Sequence, residues 1–271
     1  MRVEKRFTML ALASATLAFG MPVMAQDSKP ATTSAKTEAA SDIDADAIEA
    51  LNKMGAALRA LKEFSIASST TQEIVLETGE KIQLDGFVDW KVRQPNALYV
   101  DVRSDRKNRE FFYDGKDLTI YSPILKFYTS IDSVNGNLRD LVLKASNDYG
   151  IELPLTDLFL WGTDDVSDDL IKSAMVVGPG TINDDKVDHY AFRQEGVDWQ
   201  VWISQTTSLP AKLVITSLDD PARPQYTARL NWDTTATFED SAFKFVPPEG
   251  AHKISFEPDS MAAASAEGEG S

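Results

Sequence analysis

The chain has 271 residues, no cysteine, and 27 Lys+Arg against 42 Asp+Glu, a formal net charge of −15. The absence of thiols excludes disulfide staples, thiol nucleophiles and cysteine-based zinc sites. The acidic balance argues against nucleic acid as a partner and fits solubility, a basic partner or a neutral apolar one.

The first residues read as an export signal. "MRVEKR" is a basic start, "FTMLALASATLAFG" an apolar stretch, and "VMA" ends at Ala25 with residues suited to cleavage. The apolar stretch is too short for a membrane span. The expected product is periplasmic or secreted and not membrane-spanning. No Cys follows the cut, so no lipid anchor is expected there. The remainder carries 24 basic and 41 acidic residues, 24 − 41 = −17. Residues 26–40 are small and polar without apolar period, and are expected to be a disordered linker. One globular domain is expected over 41–256, and a disordered tail over 257–271.

The domain opens on a helical pattern. Ile43, Ala47, Leu51, Met54, Leu58 and Leu61 recur at spacings of three and four, and Ser41 is the expected N-cap with Asp44 three residues on. Strand patterns follow. "KIQLDGFVDWKV" puts Ile82, Leu84, Val88, Trp90 and Val92 on one face and Gln83, Asp85, Asp89 and Lys91 on the other. "QPN" at 94–96 breaks the chain, and "ALYVDVR" aligns Leu98, Val100 and Val102. "REFFYDG" is a further short strand ending at Asp114-Gly115. "DGKDLTIYSPILKFYTSID" then reads as two strands around Ser122-Pro123. Leu118 and Ile120 share a face of the first, and Leu125, Phe127 and Ile131 share a face of the second.

A second helix is expected at "NLRDLVLKASNDYG", with Leu138, Leu141, Val142 and Ala145 inward and Gly150 as its stop. "LPLTDLFLWG", from Leu153 to Gly162, is short and very apolar, and reads as a helical turn or lid. Strand patterns resume at "SAMVVGPGTI", "DKVDHYAFRQEG", "VDWQVWISQ", "PAKLVITSLDD" and "PQYTARLNWDT". Trp199, Val201 and Ile203 share a face, as do Tyr226, Ala228, Leu230 and Trp232.

The count is about ten short strands, each with one apolar face, and two or three helices. The expected class is α+β, mainly β. Such a sheet must curl, close or split, and so few helices cannot cover it flat. One strongly curved antiparallel sheet, a half-barrel wrapped around its helices, satisfies both conditions and leaves space for an apolar cavity.

Three stretches resemble the LolA/LolB-like superfamily of periplasmic lipoprotein and lipid carriers. They are "DGKDLTIYSPILKFYT", "FVDWKVRQPNALYVDV" and "FEDSAFKFVPPEGAHKI", the last with its F-x-F-x-PP-x-G run at Phe243, Phe245, Pro247, Pro248 and Gly250. Within that superfamily the chain looks most like an uncharacterised group of exported bacterial proteins. The resemblance implies an unclosed, bent barrel with helices at its mouth, and the sheltering of acyl chains. It also shows a departure. LolA carriers place an Arg directly before the Pro of the strand–Pro–strand unit. Here Gln94 holds that place and Arg93 stands one step earlier, where a strand side chain points to the other face.

The candidate ligand-binding set is Trp90, Tyr99, Phe111, Tyr113, Tyr121, Phe127, Phe159, Trp161, Trp199 and Trp232. The alternative for each is packing of helix against sheet. Burying an acyl chain is worth ~0.8 kcal/mol per CH2, so a chain of a dozen or more methylenes would bind usefully. "TDDVSDD", Thr163 to Asp169, lacks the Gly and closing Glu of a calcium loop and is expected to cap helices. His189 and His252 are the only histidines, and His189 falls on the strand face opposite Tyr190 and Phe192. No G-x-S-x-G, H-E-x-x-H or phosphate loop is present. No metal, cofactor or catalytic residue is expected, and the chain is expected to be a monomer. The functional reading is a binding protein or carrier for a hydrophobic ligand. An envelope scaffold with a filled core and possible protein partner is the alternative, and a carboxylate-dependent hydrolase is a third reading.

Overall fold

The computed structural model describes residues 42–132, 134, 136–151 and 170–255. Helix α1 (Ala45–Ala60) begins at Asp44, whose side chain accepts from the Asp46 amide, and not at Ser41. The reason lies just upstream. The Asp44 amide donates to Ala174 O and the Ala174 amide donates to Asp42 O, which holds residues 42–44 extended beside a strand. A helix cannot start until that pairing ends. Ala47, Leu51, Met54 and Leu58 are its buried stripe, while Ile43 and Leu61 fall outside it.

Twelve strands form one sheet among the described residues. They are β1 (Glu63–Val75), β2 (Lys81–Arg93), β3 (Ala97–Ser104), β4 (Asn108–Tyr113), β5 (Leu118–Ser122), β6 (Phe127–Ile131), β7 (Ser173–Ile182), β8 (Asp185–Gln194), β9 (Val197–Ser204), β10 (Pro210–Ser217), β11 (Gln225–Asp233) and β12 (His252–Lys253). Helix α2 (Leu138–Tyr149) lies between β6 and β7 in the chain. The spatial order is β12-β6-β5-β4-β3-β2-β1-β11-β10-β9-β8-β7. Two antiparallel meanders therefore meet along β1 and β11, and only the short β12 runs parallel, beside β6. The sheet is curved and unclosed.

The count exceeds the expected ten because β1 and β12 carry weak sequence signals. In "EFSIASSTTQEIV" only Phe64 and Ile66 are large and buried. The next inward position is Ser68, which is buried and donates its hydroxyl to Val88 O at 3.0 Å. A polar group satisfied by the neighbouring ladder can sit where an apolar residue is expected. This strand joins the two meanders: Ile66 lies across from both Trp232 and Trp90.

One continuous core fills the inner face, from α1 and α2 across both meanders. Helix α2 has a full capping box, Asn137 with Asp140, and ends at Gly150 in the left-handed region. Gly86 in β2 marks a close approach. A Cβ there would lie 2.9 Å from Arg103 O and 3.0 Å from Thr70 Oγ1.

The outer face of β2–β6 is covered by the segment after β11. Phe245 packs on Phe112, Tyr121 and Tyr128 at 5.3, 5.3 and 4.9 Å between ring centroids. Arg93 holds the same segment by an ion pair to Asp240 (2.6 Å) and a hydrogen bond to Phe238 O (3.3 Å), and lies over the Phe243 ring. The His252 and Ile254 amides then donate to Lys126 O and Tyr128 O.

Candidate functional site

The aromatic candidates divide between the two faces of the sheet. Trp90, Phe111, Tyr113 and Trp199 are buried in the inner core, with Trp199 stacked on Phe192 at 4.2 Å. Tyr113 also donates its hydroxyl to Gly136 O at 2.8 Å, which ties β4 to the lead-in of α2. Trp232 shares the inner face and lies 5.6 Å from Phe64. Tyr99 and Tyr121 point the other way. Tyr99 pairs with Phe112 at 4.9 Å under Lys91, and Tyr121 packs under Phe245. Their offset from Val100 and Ile120 by one residue puts them on the outer face. Phe127 sits at the end of β6, is 43% exposed, and contacts His252. Leu125, expected beside it on a strand face, is in the turn before β6 and exposed. Phe159, Trp161, the lid stretch 153–162 and the acidic stretch 163–169 lie outside the described residues.

A pocket of about 280 Å3 opens where the end of α1 meets the start of α2. Its floor is apolar: Leu58 from α1, Phe64 and Ile66 from β1, Leu138 from α2, all buried, with half-buried Trp232 from β11. Its rim is polar: Arg59, Gln94, Asn137 and Arg139, with Pro95. The walls are fixed by hydrogen bonds. The Leu138 amide donates to Pro95 O at 2.8 Å, the Gln94 side chain to Leu58 O at 3.4 Å, and the Trp232 indole to Pro210 O at 2.7 Å.

Of the eight aromatic candidates among the described residues, Trp232 is the one that lines this pocket. Sequence reasoning missed Phe64 and Ile66 because β1 itself was illegible. Leu58 and Leu138 were recognised as inward-facing, but their neighbours Arg59 and Arg139 fall at the two helix ends, where a helical stripe says nothing about approach. The Pro95 step gave a usable signal. Gln94 reaches the last turn of α1, while Arg93 projects to the outer face and grips Asp240. The one-residue offset thus puts a neutral amide, not a guanidinium, at the inner position.

His189 stacks on Trp202 at 3.9 Å between centroids and makes a hydrogen bond to Gln200 at 3.0 Å. Burial holds its ring below the usual histidine range. Among the described residues no group of three or more His, Asp or Glu is placed to hold a metal ion. No helix there is long and apolar enough to cross a membrane.

The described residues form a curved, unclosed antiparallel sheet with an apolar recess beside its two helices. Residues 47–257 match the family described as "Predicted periplasmic protein (DUF2092)", and the chain belongs to that family. No functionally curated protein matches the sequence. Solved structures similar to the chain include an uncharacterized conserved protein from Thermus thermophilus. It is 10% identical, with a TM-score of 0.45, over 77% of this chain and 98% of that one. The lipoprotein LppX of Mycobacterium tuberculosis is 13% identical, with a TM-score of 0.46, over 72% and 100%. A LolA superfamily protein from Nitrosomonas europaea is 9% identical, with a TM-score of 0.33, over 73% and 97%.

Proposed function

We propose that this protein is an exported, non-enzymatic binding protein or carrier that shelters the apolar chain of a lipid or lipoprotein in the pocket between α1 and α2. The observation that supports this reading most is the pocket itself: a buried apolar floor, open at a polar rim, in a sheet left unclosed. A methylene takes up roughly the volume of a water molecule, about 30 Å3, so about nine fit. Their transfer from water is worth at most about 7 kcal/mol at ~0.8 kcal/mol each. Ordering costs subtract several kcal/mol, so a chain of this length binds at moderate affinity. The pocket as it stands is smaller than a chain of a dozen or more methylenes requires. The export signal, cleaved after Ala25, would deliver the protein as a soluble monomer, in keeping with a family described as predicted periplasmic. Purification without detergent, extraction with organic solvent and identification of the lipids recovered tests this reading. Recovery of a stoichiometric single-chain or acyl lipid is expected.

A second reading has an observation of its own. Trp90, Phe111, Tyr113 and Trp199 are packed in a filled core, as a scaffold protein of the envelope would have them. Native mass spectrometry separates the two. A carrier adds lipid mass when offered a chain, and a scaffold stays at the mass of the polypeptide.

A further inference from the structure

Exposed apolar side chains gather where β5 turns into β6. Ile124 and Leu125 stand in that turn, 70% and 58% exposed, and the exposed Phe127 opens β6. Ile254, just beyond β12, is exposed as well, and its amide donates to O of Tyr128, the residue after Phe127. Apolar residues scattered singly over a surface need no explanation, but a group held together marks an interaction site. This group is held by the backbone. The Lys126 amide donates to Ser122 O and closes the turn, and the His252 amide donates to Lys126 O and ties the strap to it. His252 lies across from Phe127 in the ladder, with ring centroids 6.1 Å apart.

Charge at this tip indicates what it meets. The stretches 122–128 and 250–255 contain Lys126 and Lys253 and no Asp or Glu, in a chain where acids outnumber bases 42 to 27. Both lysines are exposed. Lys126 Nζ lies beside Gly250, 3.7 Å from where a Cβ would stand. We propose that the β5–β6 tip docks on the surface of an anionic phospholipid bilayer, with Ile124, Leu125 and Phe127 entering the interface and Lys126 and Lys253 meeting the headgroup phosphates. Apolar side chains alone would suit a protein partner equally, and the lysines beside them favour a negatively charged sheet of headgroups. The acids elsewhere on the chain do not forbid this contact. Salt limits the reach of an exposed charge to about 10 Å at 0.1 M, so the charges of the leading tip decide it. No helix among the described residues is long and apolar enough to cross a membrane, and the contact proposed is peripheral and reversible. The proposal does not rest on the pocket.

The test is co-sedimentation of the exported chain, from Gln26 on, with phosphatidylcholine vesicles and with the same vesicles doped with phosphatidylglycerol. Binding to the doped vesicles is expected to be at least about tenfold tighter at low salt, and to weaken as salt is raised. Ile124→Ser with Leu125→Ser should lower that binding at least about tenfold. Its urea midpoint should stay at the wild-type value, because both side chains stand in an exposed turn. Lys126→Gln with Lys253→Gln should reduce doped vesicles to the level of undoped ones, and the two Lys→Arg changes together should keep the preference. Equal binding of both vesicles by wild type, or binding that survives the double serine variant, overturns the proposal. Binding to neither vesicle also overturns it and leaves the tip to a protein partner. Titration of the same proteins with decanoate keeps the two readings apart. Docking by a wild type that takes up no decanoate sustains this proposal and counts against the carrier reading alone.

Discussion

Phe245→Ala tests how the segment after β11 is held to the sheet. Phe245 is half-buried and touches three rings on the outer face, those of Phe112, Tyr121 and Tyr128. Complete burial of a Phe side chain is worth ~1.5–3 kcal/mol, and half of that is about 1 kcal/mol. Three tilted ring pairs, at roughly 0.5 kcal/mol each for partly exposed rings, add about 1.5 kcal/mol. The expected loss is about 2–3 kcal/mol. At a urea dependence of ~2.5 kcal/mol per M it lowers the midpoint by about 1 M. If the segment peels away before the sheet unfolds, the loss shows first as faster hydrogen exchange at the His252 and Ile254 amides, which donate to β6 or its turn. A second variant, Arg93→Ala, removes the Asp240 and Phe238 contacts at the other end of the segment. If one strap carries both anchors, the double variant loses less than the two singles together. A Phe245→Ala protein with unchanged midpoint and unchanged exchange at both amides would refute the assignment of this segment as a strap.

Glu110 faces Asp101 across β3 and β4, and burial, then Asp101, raises its carboxyl above the ordinary range. The folded protein thus holds that proton more tightly than the unfolded chain, and stability falls as pH rises from ~4.3 through the raised value. Glu110→Gln should stabilise the protein at pH 7 by roughly 0.2–1 kcal/mol and flatten this part of the pH profile in thermal melts. A variant profile parallel to that of wild type counts against it. Gly86→Ala should cost about 1–3 kcal/mol in a urea titration, because its Cβ meets the Arg103 carbonyl and the Thr70 hydroxyl. Tyr113→Phe should cost about 1 kcal/mol, since it removes a buried donor to Gly136 O without opening a void.

The parts of the fold legible in the sequence are those where burial and alternation coincide. In β2 and β9 alternate residues are mostly large and apolar, and the structure buries Val88, Trp90 and Val92 in the first and Val197, Trp199, Val201 and Ile203 in the second. The α2 boundaries were equally legible, because Asn137, Asp140 and Gly150 each have a local backbone task. What escaped depends on partners distant in sequence. β1 is stabilised by β2 and β11 on both sides, so Ser68 and Thr70 serve as strand residues without an apolar signal. The α1 start at Asp44 depends on pairing with Ala174, some 130 residues away, which no capping pattern encodes. The pocket escaped for the same reason. Aromatic content led to Trp90 and Trp199, which the core consumes, whereas the recess is formed by residues from four elements that meet only in the fold. The outer role of Tyr99 and Tyr121 could have been read from strand parity alone.

Quenching of tryptophan fluorescence by decanoate brominated at its chain end tests the central claim most directly. The chain has five tryptophans, and Trp232 lines the pocket floor. Bromine quenches at contact range. Saturable quenching of the wild type is expected, with loss of most of it in Trp232→Phe while binding is still detected by calorimetry. Absence of saturable quenching, or undiminished quenching in Trp232→Phe, would contradict it.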